Sequence, residues 1–126
     1  METASPTRPI LMVDDSPSLR LLLGAALRAG GFSVAEAEDG VTALEWLSAN
    51  DPGLIITDIT MPRLDGFSFI AQLRAHDRLR HTPVLVLTTE AASDKKDRAR
   101  AAGATGWISK PFDPDKLNTA VRRILD

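Results

Sequence analysis

Four short apolar runs in this sequence are each followed directly by side chains that carry chemistry. Asp14-Asp15 follow Ile10–Val13, Asp58 follows Leu54–Thr57, Thr88-Thr89 follow Val84–Leu87, and Ser109-Lys110 follow Thr105–Ile108. Three carboxylates brought together repel one another, so one keeps its proton unless a cation intervenes. An all-oxygen set with no His or Cys selects a hard ion. Mg²⁺ suits it, because it binds one or two carboxylates, keeps waters and accepts a phosphate oxygen. A carboxylate is also a nucleophile toward phosphorus and can form an aspartyl phosphate. Such a transfer needs positioning and charge neutralisation more than covalent help. A divalent cation on one side and the Lys110 ammonium on the other would supply both, and the Thr88 hydroxyl could bond a phosphoryl oxygen. Singly, each residue has a plainer explanation: Asp15 or Ser16 as a helix cap, Asp58 and Lys110 as turn residues, Thr88 as a strand-end β former. Their common position at the ends of apolar runs favours the joint reading.

The elements that would position them alternate along the chain. The apolar runs Ile10–Val13, Phe32–Ala35, Leu54–Thr57, Val84–Leu87 and Thr105–Ile108 read as buried strands. Between them lie stretches with helical spacing. In the first, Leu19, Leu22, Leu23, Ala26 and Leu27 form the apolar stripe, with Ser16 as N-cap, Pro17 at the first helical position and Gly30-Gly31 as the stop. A second helix opens at Asp39-Gly40 and buries Val41, Leu44 and Leu47, and Asn50-Asp51-Pro52-Gly53 forms a turn. A third runs from about Asp65 to His76. The last opens at Asp113-Pro114 and carries Leu117, Ala120, Val121, Ile124 and Leu125.

Five strands alternating with five helices predict an α/β fold, a (βα)5 doubly wound parallel sheet covered on both faces. In such a sheet the C-terminal strand edges form the ligand crevice. With strand order 2-1-3-4-5 the first and third strands are neighbours. Asp14, Asp15 and Asp58 would then converge, flanked by Thr88 and Lys110. The helix over Ser93–Ala102 differs from the rest, because its apolar side chains are no larger than Ala. At about 25 cal/mol per Å² of apolar surface buried, it is weakly held. It reads either as a solvated edge helix or as an element that moves in a switch.

Composition narrows the class. The chain has 126 residues, 44% hydrophobic and 25% charged, as in a single globular domain, with no internal repeat or linker. The absence of Cys excludes a disulfide scaffold, a thiolate metal site and a thiol nucleophile. The longest apolar run, Leu21–Leu27, is far short of the ~20 residues that span a bilayer, and the first residues carry no signal-peptide core. A cytoplasmic protein is expected, with no membrane partner. Residues 1–66 hold 4 basic and 10 acidic side chains, residues 67–126 hold 11 and 7. The net charge of −2 argues against direct nucleic-acid binding. The split fits either an acidic cation site followed by a basic surface for an acidic partner, or scatter about neutrality.

The set Val13-Asp14-Asp15-Ser16, Asp58 with Met61-Pro62 and Asp65-Gly66, Thr88-Thr89, and Ala102-Gly103-Ala104 leading to Lys110-Pro111-Phe112 resembles the receiver domain of two-component response regulators. The resemblance spans residues 9–126, leaving 1–8 as an expected flexible N-terminal tail. It implies the flavodoxin-like strand order 2-1-3-4-5. It makes Asp58 the phosphoacceptor, with Mg²⁺ held by Asp15 and Asp58, by Asp14 mainly through water, and by the backbone carbonyl of Thr60. Lys110 and Thr88 would contact the phosphoryl group, and the Lys110–Pro111 peptide would be cis. Trp107 stands at the family's aromatic switch position, turning inward as Thr88 moves toward the phosphoryl group. Thr60 and Glu90 occupy positions that tune phosphoryl lifetime.

The resemblance further implies a phosphoprotein switch rather than an enzyme, a monomer that takes its phosphoryl group from a histidine kinase or histidine phosphotransferase. With the chain ending just after the last helix, output is expected through a protein target, on the face made by the fourth helix, fifth strand and fifth helix. Lys95, Lys96, Arg100, Arg122 and Arg123 would make that face basic. Leu21 and Ala25, outside the core stripe of the first helix, could dock the donor. The Ala102–Phe112 segment resembles that of chemotaxis regulators, which would make the target a flagellar motor switch. A phosphorelay intermediate or phosphate sink would share every site residue. A phosphatase with an aspartyl nucleophile normally carries a second Asp two residues on, where this chain has Thr60. A flavodoxin-like carrier would place FMN phosphate against Asp14-Asp15, and no GxxxxGK[ST] loop for a nucleotide is present.

Overall fold

A computed structural model describes residues 8–59, 61–88 and 93–125, with the side chains of 93–96 outside that description. Its elements are β1 (Ile10–Val13), α1 (Pro17–Ala29), β2 (Val34–Ala37), α2 (Gly40–Leu47), β3 (Leu54–Asp58), α3 (Gly66–Ala75), β4 (Val84–Thr88), α4 (Ser93–Ala102), β5 (Gly106–Ser109) and α5 (Pro114–Leu125). The five strands are parallel, in the order β2-β1-β3-β4-β5. This is the expected doubly wound topology.

Alternation along the strands divides the core in two, since successive side chains point to opposite faces. Ile10, Met12, Leu54, Ile56, Leu85 and Leu87 face α1 and α5, meeting Leu23, Leu27, Leu117 and Val121. Leu11, Val13, Ile55, Val84 and Val86 face the other way, toward Leu47 of α2 and Phe69, Ile70 and Leu73 of α3. At about 1.5–3 kcal/mol per large apolar side chain removed from water, the central strands anchor the molecule. Burial fails only at the edges, where β2 and β5 are largely half-exposed.

Local chemistry sets the helix starts. Ser16 accepts the amide of Leu19 at 3.2 Å ahead of Pro17, Asp39 accepts that of Thr42 at 2.8 Å, and Asp65 accepts that of Ser68 at 2.9 Å. Asp65 and His76 are therefore caps of α3 rather than members of it.

Three expectations need correction. The second strand begins at Val34, not Phe32, because the Phe32 amide turns back to the Leu27 carbonyl and Ser33 spends its carbonyl on Ile10, so that Val34 pairs with Ile10. Leu22 does not join the stripe of α1 and is 62% exposed. The buried line runs through Leu23, Gly24 and Leu27, with the small Gly24 letting the helix settle against Met12. In α2, Ala43 and Leu47 are fully buried, whereas Val41 and Leu44 are half-buried.

Candidate functional site

Strand register gathers the polar strand ends. Val13 is paired with Thr57, so Asp14 emerges level with Asp58, which pairs with Leu87 of β4; Thr88 pairs with Ser109, immediately before Lys110. The Lys110 amide donates to the Thr88 carbonyl at 2.8 Å, fastening the two outer strand ends together. One carboxylate oxygen each from Asp14, Asp15 and Asp58 lies within 4.8 Å of the others. Lys110 Nζ stands 3.3 Å from Asp14 Oδ2 and 3.2 Å from Asp58 Oδ2.

The three acids differ in environment. Asp14 is buried, and its Oδ1 accepts the Ser16 amide at 2.8 Å. Asp15 is exposed at the rim. Asp58 is mostly buried, with Oδ1 accepting the Ile59 amide at 2.7 Å. Burial pushes the Asp58 carboxyl above its ordinary value; Lys110 opposes this, and the neighbouring Asp14 charge adds to it. One ammonium shared between two carboxylates, with a third alongside, leaves negative charge uncompensated. The oxygen-only donor set at this spacing fits a hard divalent cation.

Neighbouring segments hold this edge in place. Gly66 approaches the backbone of the Asp58 segment so closely that a Cβ there would collide with the Asp58 carbonyl oxygen and stand 2.8 Å from Ile59 Cα. Its amide donates to Ile59 O at 2.7 Å, so α3 starts against the strand end. The loop between them is tied to α2 through Arg63, whose Nε donates to the buried Asp39 carboxylate at 2.8 Å and whose Nη2 donates to Thr42 Oγ1 at 3.2 Å. Arg63 adopts φ 69°, the left-handed region, where an L-residue is uncommon.

Of the residues singled out from sequence, Asp14, Asp15, Asp58 and Lys110 come together, with Thr88 buried at the adjoining strand end. The Lys110–Pro111 peptide is cis, as expected. Trp107 sits half-buried on β5 beside Arg100, whose guanidinium lies 5.5 Å from the ring centroid, and both line an open groove of about 700 Å³. Thr60, Thr89 and Glu90, and the side chains of Lys95 and Lys96, lie outside the described residues.

Sequence reasoning missed Arg20, Arg63 and the tertiary role of Asp39. Arg20 carried a usable signal: it stands three and seven residues before Leu23 and Leu27, on the buried line of α1, where a charge needs a partner. Arg63 carried none, because its partner is 24 residues away.

Residues 10–122 match the response regulator receiver domain. The chain belongs to that family. It is 38% identical over 118 residues to the chemotaxis protein CheY of Pseudomonas aeruginosa, covering 93% of this chain and 95% of the relative. Among solved structures, the chemotaxis response regulator CheY4 of Vibrio cholerae superposes with a TM-score of 0.89 at 38% identity, covering 95% of this chain and 100% of that one. The receiver domain of the sensor histidine kinase PA1611 from Pseudomonas aeruginosa, solved with magnesium coordinated in its active-site cleft, superposes at 0.88 with 28% identity, covering 95% and 98% of the two chains. The chain is thus a receiver of the chemotaxis-regulator type, and its role is that of a signalling switch.

Proposed function

We propose that this receiver accepts a phosphoryl group on Asp58 from a histidine phosphodonor and passes the signal on by protein contact, in chemotaxis. The reading rests on one observation above all: three carboxylates from two strand ends, Asp14 and Asp15 after β1 and Asp58 at the end of β3, meet within 4.8 Å, with one lysine between two of them.

Asp14, Asp15 and Asp58, with the Thr60 carbonyl, would hold Mg²⁺, which supplies charge neutralisation for phosphoryl oxygens. An Asp58 carboxylate oxygen forms the new bond to phosphorus while the bond from phosphorus to the donor nitrogen breaks, its electron pair staying on the imidazole. Lys110, already salt-bridged to Asp58, moves its ammonium onto the added negative charge. Thr88, at the end of β4, follows it. Asp58 must be ionised to attack; in the metal-free protein burial holds its carboxyl above the ordinary value, and a bound cation would offset that cost. Thr60 and Glu90 set the lifetime of the product.

Output runs through α4, β5 and α5, with Trp107 as the aromatic switch and Arg100, Arg122 and Arg123 giving a basic face to an acidic target. The donor docks on α1, where Leu21 and Leu22 are 71% and 62% exposed. Leu22 continues into a groove of about 220 Å³ with Leu19, Pro111, Phe112 and Pro114. Among the described residues no helix is long and apolar enough to cross a membrane. The protein is a switch and does not turn over free phosphomonoesters.

Acetyl phosphate with Mg²⁺ labels the wild-type protein, read by intact mass, and leaves Asp58→Asn unlabelled. Equal labelling of the two would overturn the assignment.

A further inference from the structure

Arg20 is the one charged side chain on the buried line of α1, and only 17% of it is exposed. Its guanidinium makes two hydrogen bonds in different directions. Nη1 donates to the backbone carbonyl of Asp14 at 2.5 Å, and Nε donates to Glu36 Oε1 of β2 at 3.1 Å. That carbonyl belongs to the peptide joining Asp14 to Asp15. A peptide is planar, so bonding its oxygen fixes the orientation of the whole unit and with it the direction in which Asp15 leaves the strand.

Further hydrogen bonds hold this corner. The Asp14 amide donates to Ala37 of β2 at 3.1 Å, the Ser16 amide donates to Asp14 Oδ1, and the Arg20 amide donates to the Ser16 carbonyl at 3.0 Å. The result is a closed circuit from β1 through the acidic pair into α1 and back along the Arg20 side chain. Asp15 itself is exposed, and packing does not orient it. Its placement comes through this peptide.

We propose that Arg20, oriented by Glu36, is a positioning residue for the cation site: it fixes the Asp14–Asp15 peptide so that the Asp15 carboxylate faces Asp58. The inference rests on reading Asp14, Asp15 and Asp58 as cation ligands. A planar fork is needed, because one group must serve a carbonyl and a carboxylate in different directions, which an ammonium on a flexible stem does poorly.

The sign of the effect separates positioning from charge. Arg20 carries a positive charge close to where a cation binds. If charge were all that mattered, deleting it would tighten Mg²⁺ binding. Positioning demands the opposite. Outer groups that orient metal ligands typically account for about 10- to 100-fold in affinity. Mg²⁺ affinity is measured by titration calorimetry on wild type, Arg20→Ala, Arg20→Lys and, as a control for charge loss on the same helix, the exposed Arg28→Ala. Each protein is also melted without metal. The expected result is Arg20→Ala weakened about 10-fold or more, Arg20→Lys also weakened although its charge is kept, and Arg28→Ala unchanged. Unchanged or tighter binding by a folded Arg20→Ala overturns the proposal. Should that variant melt too low to titrate, wild-type affinity in Arg20→Lys overturns it equally. If wild type binds Mg²⁺ and only the Arg20 result fails, the cation site stands without this residue. If wild type binds none, the ligand reading falls and the proposal with it.

Discussion

Helices α3 and α4 pack side by side on one face of the sheet and are held by different physics. α3 buries Phe67, Phe69, Ile70 and Leu73. Among the described side chains of α4, Ala99 alone is fully buried. What fastens α4 is cationic and polar. The Arg98 guanidinium lies 4.2 Å from the Phe67 ring centroid and that of Arg100 lies 5.5 Å from Trp107. From α3, Arg74 donates twice to the Gly103 carbonyl just past the end of α4, at 3.0 and 2.8 Å. Gly103 has φ 106° and no Cβ, so the Arg74 stem can lie against it. Aliphatic burial is short-ranged and lost at once when a helix shifts, whereas long arginine side chains can keep contact over small displacements. α3 therefore belongs to the rigid frame under Asp58, and α4 is the element whose position is cheap to change.

The contrast breaks most readily at Phe69. Phe69→Ala is expected to cost about 3–5 kcal/mol in urea denaturation, the usual loss for a fully buried ring. Arg98→Ala should cost about 0.5–1 kcal/mol, as for an exposed cation–aromatic pair. Equal losses would mean that α4 is as firmly built in as α3.

Dynamics sharpens the same comparison with a smaller effect. Amide exchange in α4 should be faster than in α3 in the free protein. Adding beryllofluoride with Mg²⁺ should alter exchange in α4 and β5, and with it Trp107 fluorescence, while α3 stays as it was. A change confined to α3, or a flat Trp107 signal, would remove α4 and β5 as the responding face.

The smallest expected effects come from two carboxylates of the rigid frame whose environments have opposite signs. At Asp39 burial raises the pKa, but the Thr42 amide and Arg63 outweigh it, and the net shift is downward from 3.8. Its stabilising contribution is present above about pH 4 and is lost as pH falls through the lowered folded value. Asp58 is shifted upward from 3.8, so its ionised form opposes folding at neutral pH, and stability recovers as pH falls through the raised value toward 3.8. In metal-free buffer at neutral pH, Asp39→Asn should lower the melting temperature by a few degrees and Asp58→Asn should raise it slightly. A decrease for both would show that Asp58 is compensated by its surroundings after all.

Most of the architecture was legible because it depends on short-range rules. Runs such as Leu54–Thr57 and Val84–Leu87 are apolar or β-branched throughout, as suits strands covered on both faces. Ser16-Pro17, Asp39-Gly40 and Asp113-Pro114 announce helix starts through capping chemistry alone. The acids and the lysine were legible as a group because each ends a strand, and strands of one parallel sheet bring their ends to one edge. Leu22 was misplaced because the apolar pattern of α1 is wide enough to allow two stripes. Contact with Met12 through Gly24 selects between them, and no local signal reports that contact.

Spacing and side-chain type were enough to specify the alternating fold, the identity of the three acids and the lysine, and the apolar poverty of α4, since each follows from periodicity, capping or composition within a dozen residues. The distances at the site, the arginines that fasten its corners and the manner in which α4 is held were decided on folding. Arg20 meets Asp14 and Glu36 across two strands, Arg63 reaches Asp39 across a 24-residue separation, and Arg74 reaches Gly103 across 29. A long cationic side chain has many partners available to it along the chain, and only the packed helices and sheet leave it one.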